Sequence, residues 1–295
     1  MFDELKKICK NIRVNEPMSE HTTFKIGGPA DFYIEPENSE QIKKIIQLCK
    51  DNNIPYLVTG NGSNMLVSDK GIEGVVINIG DAFSDIVAEG TKITAGAGIV
   101  LSKLSKFALR NELSGLEFAS GIPGSLGGAL YMNAGAYGGE IKDVVKNITY
   151  FDGEDIKTVE GEDLNFGYRK SFFTNKNYVI LSCEMELLKG CPEDIKETMA
   201  DFTKRRTTKQ PLEMPSAGSV FKRPEGYFAG GLIEQAGLKG YSIGGAEVSP
   251  KHAGFIVNKG GATAKDVTEL IKYIIKTVED KFGVTLEPEI KLIGR

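Results

Sequence analysis

Histidine is scarce in this chain: His21 and His252 are the only two among 295 residues. Neither stands in a ligand-spaced cluster with cysteine or carboxylates, so a histidine-based metal centre or a Ser-His-Asp triad is not expected. Cysteine is sparse too. Cys9, Cys49, Cys183 and Cys191 are scattered, with no C-x-x-C. That points to reduced thiols in a cytoplasm rather than a disulfide scaffold. No apolar stretch approaches the ~18 residues of a membrane span. The N-terminus MFDELKKICKNIRVNEP is charged throughout and is no signal peptide. Lys and Arg number 36 against 40 Asp and Glu, leaving a net charge of −4, and no basic run exceeds Lys204–Arg206. A nucleic-acid scaffold is therefore not expected. The P-loop pattern G-x-x-x-x-G-K-[ST] is missing, as are internal repeats and low-complexity segments. With so few reactive side chains, demanding chemistry is expected to come from a cofactor.

What the chain does have is glycine in unusual places. Gly115–Glu140, GLEFASGIPGSLGGALYMNAGAYGGE, holds eight glycines, with Pro123, Ser125 and Asn133 among them and almost no charge. It is too glycine-rich for a helix interior and too apolar for a solvent linker. Glycine lets a backbone approach a flat or anionic ligand, and successive exposed N–H groups make a concave anion site. A second segment, Thr59–Asp69 (TGNGSNMLVSD), lies between the apolar runs Tyr56–Val58 and Met65–Val67. Both runs read as buried strands. The loop between them offers amides plus Ser63 and Asn64 to a pyrophosphate. It is no Rossmann fingerprint, because Met65 stands where the third glycine belongs and no helix is expected to follow. Two different glycine-rich loops suggest a dinucleotide held from two sides.

Elsewhere the pattern is α+β. Ser39 can cap a helix carrying Ile42, Ile45, Ile46 and Cys49 at helical spacing. Glu89-Gly90 and Asp152-Gly153 mark hairpins, Leu101, Leu104 and Ala108 a helix, and Val179–Leu188 a strand. A charged helix follows Cys191-Pro192. The clearest helix begins at Thr263, with Asp266 at the capping-box position and an apolar stripe from Val267 to Val278. A strand, Glu289–Ile293, closes the chain. A second domain is expected over roughly 200–285.

Three residues could do chemistry. Ser219 lies in AGSVFKRP, a small-residue turn leading into a strand, where a serine is most often only a turn hydroxyl. Arg169, in Tyr168-Arg169-Lys170-Ser171-Phe172, lies between aromatics and could equally be a surface cation on a ring. Glu289 sits in an otherwise apolar terminal strand, and a buried carboxylate is costly unless it has a partner or faces a site.

Together these segments resemble the UDP-N-acetylenolpyruvoylglucosamine reductase family, the flavoenzymes that complete UDP-N-acetylmuramate in peptidoglycan synthesis. The resemblance is carried by TTFKIGGPA at 22–30, the GNGSN loop, Gly115–Glu140, Tyr168-Arg169, PSAGSVFKRP, LIEQAGLKG at 232–240, GGAEVSPKHAGFIVN at 244–258 and LEPEIKLIG. It runs over essentially the whole chain. It implies an α+β fold, with a vanillyl-alcohol-oxidase-type (PCMH-type) FAD-binding domain and a smaller α+β substrate-binding domain. The FAD-binding region would take residues 1–200, as two subdomains split near 70, completed by the C-terminal strand 286–295. Residues 201–285 would bind substrate.

The resemblance also implies non-covalent FAD and NADPH as co-substrate, in reduction of the enolpyruvyl group of UDP-N-acetyl-3-O-(1-carboxyvinyl)-glucosamine. It places the FAD pyrophosphate on Gly60, Asn61, Gly62, Ser63 and Asn64. The isoalloxazine falls near Gly121, Ile122, Pro123, Gly124, Ser125, Gly127 and Asn133. Ser219 becomes the proton donor, and Arg169 with Glu289 polarises the enolpyruvyl carboxylate. Tyr168, Lys222, Arg223 and Gln235 would touch the UDP-sugar. No metal, nucleic acid or membrane partner is implied, and a cytoplasmic monomer is expected. The segment between Arg169 and Ser219 is too short for the tyrosine-bearing lid of the longer subgroup, so the chain resembles the shorter, type II subgroup. Two rival readings are a flavin oxidase of the same fold class and a non-enzymatic flavin- or nucleotide-sugar-binding protein. Oxidases often tether flavin through His or Cys, and neither glycine-rich loop carries one.

Overall fold

The computed structural model describes residues 1–295, and the chain folds as two units, neither of them one continuous stretch of sequence. One comprises Met1–Arg13, Phe32–Asn61 and Gly74–Arg206; the other comprises Val14–Asp31, Gly62–Glu73 and Thr207–Arg295. Each has its own core. Lys291–Ile293 pairs in parallel with Met65–Val67, Leu292 opposite Leu66, and both strands group with the second unit.

The first unit contains a five-stranded antiparallel sheet in the order 156–160, 145–151, 179–186, 92–96, 86–89. Ile93, Ala95, Ile148, Val179, Cys183 and Met185 face its core. Both expected hairpins form, Ile86–Glu89 with Lys92–Gly96 and Val145–Phe151 with Ile156–Glu160. The Asp152 carboxylate supports the second turn by accepting from the amides of Glu154 and Asp155. Tyr56–Thr59 pairs in parallel with Ile72–Asn78, Thr59 opposite Asn78. That register places the start of the GNGSN loop at a strand end. The Ser39–Asp51 helix is capped by Asn38, one residue earlier than expected, whose side chain accepts from the Gln41 amide.

The glycine-rich segment departs from expectation. It contains a helix, Leu126–Met132, although Gly127 and Gly128 each cost roughly 1 kcal/mol relative to alanine. Packing overrides that propensity. Leu126, Ala129 and Leu130 are buried in the core, and a Cβ on Gly127 would lie 3.1 Å from the Ala97 Cβ. Glycine is what allows this helix to sit so close to the sheet.

In the second unit the Ala264–Phe282 helix has the predicted capping box, with Thr263 Oγ1 accepting from the Asp266 amide and Asp266 accepting from the Thr263 amide. Such a cap is worth about 1 kcal/mol. Val267, Leu270, Ile271, Ile274 and Val278 are buried, each adding about 1.5–3 kcal/mol. The helix N-terminus is tied to the 62–73 segment: Asp69 accepts from the amides of Ala264 and Lys265. A small sheet, Ser242–Ile243, Ala246–Val248 and Ile256–Asn258, lies in the same unit.

Candidate active site

In the first unit the two glycine-rich loops meet at Gly60 and Ser125. A Cβ on Gly60 would collide with the Ser125 hydroxyl. Asn78 holds the loop from below, donating to the Gly60 carbonyl at 2.8 Å. The main-chain amides of Asn61, Gly62 and Ser63 donate to no acceptor within the chain. Unpaired backbone donors of this kind need water or a ligand. Gly62, in the second unit, has φ +59, and a Cβ there would strike the His21 carbonyl. Its glycine is required by the fold itself, whatever it binds.

The loop around Gly121 carries two further orphans. Of the three buried side-chain polar atoms without a hydrogen bond, Ser120 Oγ and Arg206 Nε both belong here. Arg206 donates through Nη1 to the Gly121 carbonyl. A Cβ on Gly121 would stand 3.2 Å from the Arg206 Cδ and 3.4 Å from its Nε. Buried polar groups left unpaired cost roughly 1–3 kcal/mol each, so their concentration at one loop fits a polar ligand bound there. Neither Ser120 nor Arg206 was singled out from the sequence. Arg206 lay in the run Lys204–Arg206, but nothing local marks which member of that run reaches the loop.

The Asn133 side chain is bonded inside the protein. The residue ends the 126–132 helix in the left-handed conformation, φ 45°, and is fully buried. Its Nδ2 donates to Glu140 Oε2 at 3.0 Å and to the Gly167 carbonyl at 3.0 Å, and its Oδ1 accepts from the Lys142 amide at 3.1 Å. Both amide hydrogens are spent inside the protein. Glu140 also pairs with Lys142 at 2.6 Å. Lys142, Asn133 and Arg169 together hold the Glu140 carboxyl below the usual range.

Arg169 sits on a tight turn in which Gly167 and Lys170 exchange main-chain hydrogen bonds at 2.9 and 3.2 Å. Its own φ is +54°, a conformation that costs a non-glycine residue about 1–3 kcal/mol. Its guanidinium lies 5.1 Å from the centre of the Tyr168 ring. Tyr168 itself is half exposed.

In the second unit the structure brings Ser219 and Glu289 onto neighbouring segments. Ser219 bridges Phe255, Phe221 bridges Pro288, and the Glu289 amide donates to the Val220 carbonyl at 2.7 Å. Asn64, from the GNGSN loop, donates through Nδ2 to the Glu289 carbonyl at 3.3 Å. The closing strand begins at Lys291, so Glu289 precedes it and is half-buried. Ser219 is exposed, its hydroxyl donating to the Phe221 carbonyl at 3.3 Å. Lys222 pairs with the exposed Glu287, a bond weak enough to be exchanged for a ligand phosphate. The Arg223 guanidinium lies 4.0 Å from the centre of the Phe228 ring, and Gln235, the last residue of the Ala229–Gln235 helix, is exposed.

A family model for an FAD binding domain matches residues 30–159. The model for the C-terminal domain of UDP-N-acetylenolpyruvoylglucosamine reductase matches residues 210–293. A protein of that name from Clostridioides difficile (strain 630) is 52% identical over 286 residues, 97% of this chain and 94% of its own. The chain belongs to the UDP-N-acetylenolpyruvoylglucosamine reductase family. Another family member, from Caldanaerobacter subterraneus subsp. tengcongensis, is 51% identical over 297 residues, covering 100% of this chain and 98% of its own. The crystal structure of the Thermus caldophilus reductase superposes with a TM-score of 0.81 at 36% identity, covering 96% of this chain and 98% of that one. As a family member the chain is a flavin-dependent oxidoreductase of peptidoglycan synthesis, α+β in fold, with a PCMH-type FAD-binding domain and a reductase C-terminal domain. No helix is long and apolar enough to cross a membrane.

Proposed function

We propose that the chain reduces the enolpyruvyl group of UDP-N-acetyl-3-O-(1-carboxyvinyl)-glucosamine to give UDP-N-acetylmuramate, with NADPH as electron source. The observation that carries the reading is the pairing of the Ser219 and Glu289 segments through the Val220 carbonyl and the Glu289 amide. It puts a hydroxyl and a carboxylate on adjacent segments of the reductase C-terminal domain. In the same proposal, residues 201–285 bind the sugar nucleotide, and residues 1–200 with the closing 286–295 strand bind FAD.

The Gly60–Asn64 and Gly121–Gly127 loops would hold FAD, which when bound would supply hydride transfer between nicotinamide and the enolpyruvyl β-carbon. The orphaned Ser120 and Arg206 atoms and the free amides of Asn61, Gly62 and Ser63 fit that group. The chain's own residues handle charge and protons. As the β-carbon gains its hydrogen, negative charge builds at the α-carbon and spreads into the carboxylate. Arg169 meets that carboxylate with a planar fork of donors. Glu289 is assigned with it to polarising that group. Stabilising developing charge is usually the largest catalytic contribution. Ser219 then donates its hydroxyl proton to the α-carbon, where placement matters more than acidity because the carbon is a strong base. Tyr168, Lys222, Arg223 and Gln235 serve the UDP-sugar. Lys222 gives up its exposed pairing with Glu287 to reach a phosphate.

The experiment is a turnover assay on the purified protein with the enolpyruvyl UDP-sugar, under nitrogen, with NADPH and with NADH. Stoichiometric conversion to UDP-N-acetylmuramate, identified by mass, is the expected result. No sugar product under nitrogen, with reduced flavin that reoxidises rapidly only once air is admitted, overturns it in favour of an oxidase.

A further inference from the structure

The turn that carries Arg169 is fastened on both sides to one helix end. Two residues before Arg169, the Gly167 carbonyl accepts from Asn133 Nδ2 at 3.0 Å. Two residues after it, the Ser171 hydroxyl donates to the Tyr131 carbonyl at 2.9 Å. Tyr131 and Asn133 are both at the C-terminal end of the 126–132 helix. Asn133 is 0% exposed and Ser171 2%, so neither bond competes with water. The Ser171 hydroxyl also accepts from the Phe173 amide at 3.3 Å, and the Ser171 amide donates to Thr174 Oγ1 at 3.0 Å. Between these fastenings Arg169 is held in left-handed backbone geometry, which an unsupported arginine would leave.

We propose that Asn133 and Ser171 are positioning residues that fix the place of the Arg169 guanidinium, acting through the 167–171 turn rather than through cofactor contact. The inference rests on the proposed role of Arg169 as carboxylate grip. It follows from the arrangement: the same short helix has Ser125, in the loop that meets Gly60, as the residue just before its start, and ends at the two bonds that hold the Arg169 turn. It is a rigid spacer between the glycine-rich loop and the arginine. A helix of this length, capped at a buried asparagine, sets that spacing far more tightly than a loop could. Glu140 completes the support. It takes the second Asn133 amide hydrogen and is itself held by Lys142 and by a capping box with Asp143. A guanidinium misplaced by about 1 Å is enough to cost up to ~10²-fold in rate.

The test uses the full-length holoenzyme with two substitutions. Asn133→Gly removes the carboxamide while glycine keeps the left-handed backbone freely. Ser171→Ala removes the other fastening. Each is made alone and on an Arg169→Ala background. Hydrogen exchange of the 166–172 segment, measured before any substrate is added, should rise in both variants at the Gly167 and Lys170 amides. FAD content and the rate of flavin bleaching by NADPH should stay as in the parent. Reoxidation by the enolpyruvyl UDP-sugar should slow roughly 10- to 100-fold in each single variant. On the Arg169→Ala background neither change should slow it further, because the group they position is gone. Loss of FAD with slower bleaching would overturn the proposal and return Asn133 to the cofactor. Effects that multiply with Arg169→Ala would overturn it too. If Arg169→Ala alone left reoxidation unchanged, the proposed role of Arg169 would fall, whereas hydrogen exchange would still report whether the turn is held this way. Should Asn133→Gly fail to fold, Ser171→Ala, which leaves the buried carboxamide network intact, decides the matter by the same readouts.

Discussion

The Glu289 amide donates to the Val220 carbonyl at 2.7 Å, one residue from Ser219. A carboxylate from the end of the chain and a hydroxyl some seventy positions earlier are thereby set on adjacent segments, with Asn64 bonded to the carbonyl of the same glutamate. The bond is between main-chain groups, so substituting either side chain should leave the alignment in place. Ser219→Ala and Glu289→Gln can therefore be read as chemical changes rather than as folding defects.

Gly60 offers a test of the cofactor cradle that Gly62 cannot. A side chain at Gly62 strikes the His21 carbonyl and would damage the second unit directly, whereas one at Gly60 meets the Ser125 hydroxyl, which can rotate. Gly60→Val should fold with an unchanged far-ultraviolet dichroism spectrum yet purify with little or no FAD. Gly90→Val, in the turn between Ile86–Glu89 and Lys92–Gly96, has open space around its Cβ position and a φ of +64° that Gly60 does not share, so it carries more backbone strain and should still keep its flavin. Equal flavin content in the two proteins would remove the cradle from this loop.

The thiols should divide sharply. Cys9, Cys49 and Cys183 are buried and Cys191 is exposed. Burial pushes the Cys49 thiol up to about 11, and those of Cys9 and Cys183 upward as well. The thiolate is the reactive form, so a native protein at neutral pH should show one rapidly titrating thiol, abolished by Cys191→Ser. The full complement of four should appear only on denaturation. Two or more fast thiols in the native protein would contradict the packing described.

His252 gives the stability a defined pH dependence. Its Nδ1 accepts from the Gly254 amide at 3.0 Å, so the proton of the neutral ring is on Nε2. Burial lowers its pKa from 6.5. The unfolded chain therefore binds a proton that the folded chain refuses. The stability this contributes is fully present above pH 6.5 and is lost as pH falls through the lowered folded value. Denaturant midpoints should decline on acidification from that point, and His252→Asn should flatten the decline between 6.5 and the carboxylate range. A variant with the parent's slope would mean that other groups set it.

Much of the fold was legible because its signals are local. Thr263 and Asp266 announce their capping box within three residues of one another, and the Val267–Val278 stripe repeats at helical spacing. Glu89-Gly90 and Asp152-Gly153 turn where turn residues must. The 126–132 helix was not legible, because its glycines argue against helix and only the core packing of Leu126, Ala129 and Leu130 and the contact with Ala97 argue for it. The same holds for Asn133. Its partner Gly167 is 34 residues away, so nothing local in the sequence marks the turn it holds. The grouping of Val14–Asp31 and Gly62–Glu73 with the C-terminal residues is equally non-local. Bonds such as Gly28 amide to Ser68 carbonyl and Asn258 to the Phe24 carbonyl, which hold those segments there, leave no local mark in the sequence.

The central claim is that Ser219 delivers the proton that completes reduction of the enolpyruvyl group, and stopped-flow absorbance of the flavin tests it most directly. Ser219→Ala is mixed first with NADPH and then, once bleached, with the enolpyruvyl UDP-sugar. Bleaching should match the parent, because the nicotinamide step asks nothing of this hydroxyl. Recovery of the oxidised spectrum should slow by roughly 10²–10⁴-fold, the usual contribution of a general acid, and Ser219→Cys should recover part of the loss. Ser219→Ala that slowed both steps equally, or neither, would contradict the assignment and leave Ser219 as an ordinary turn residue.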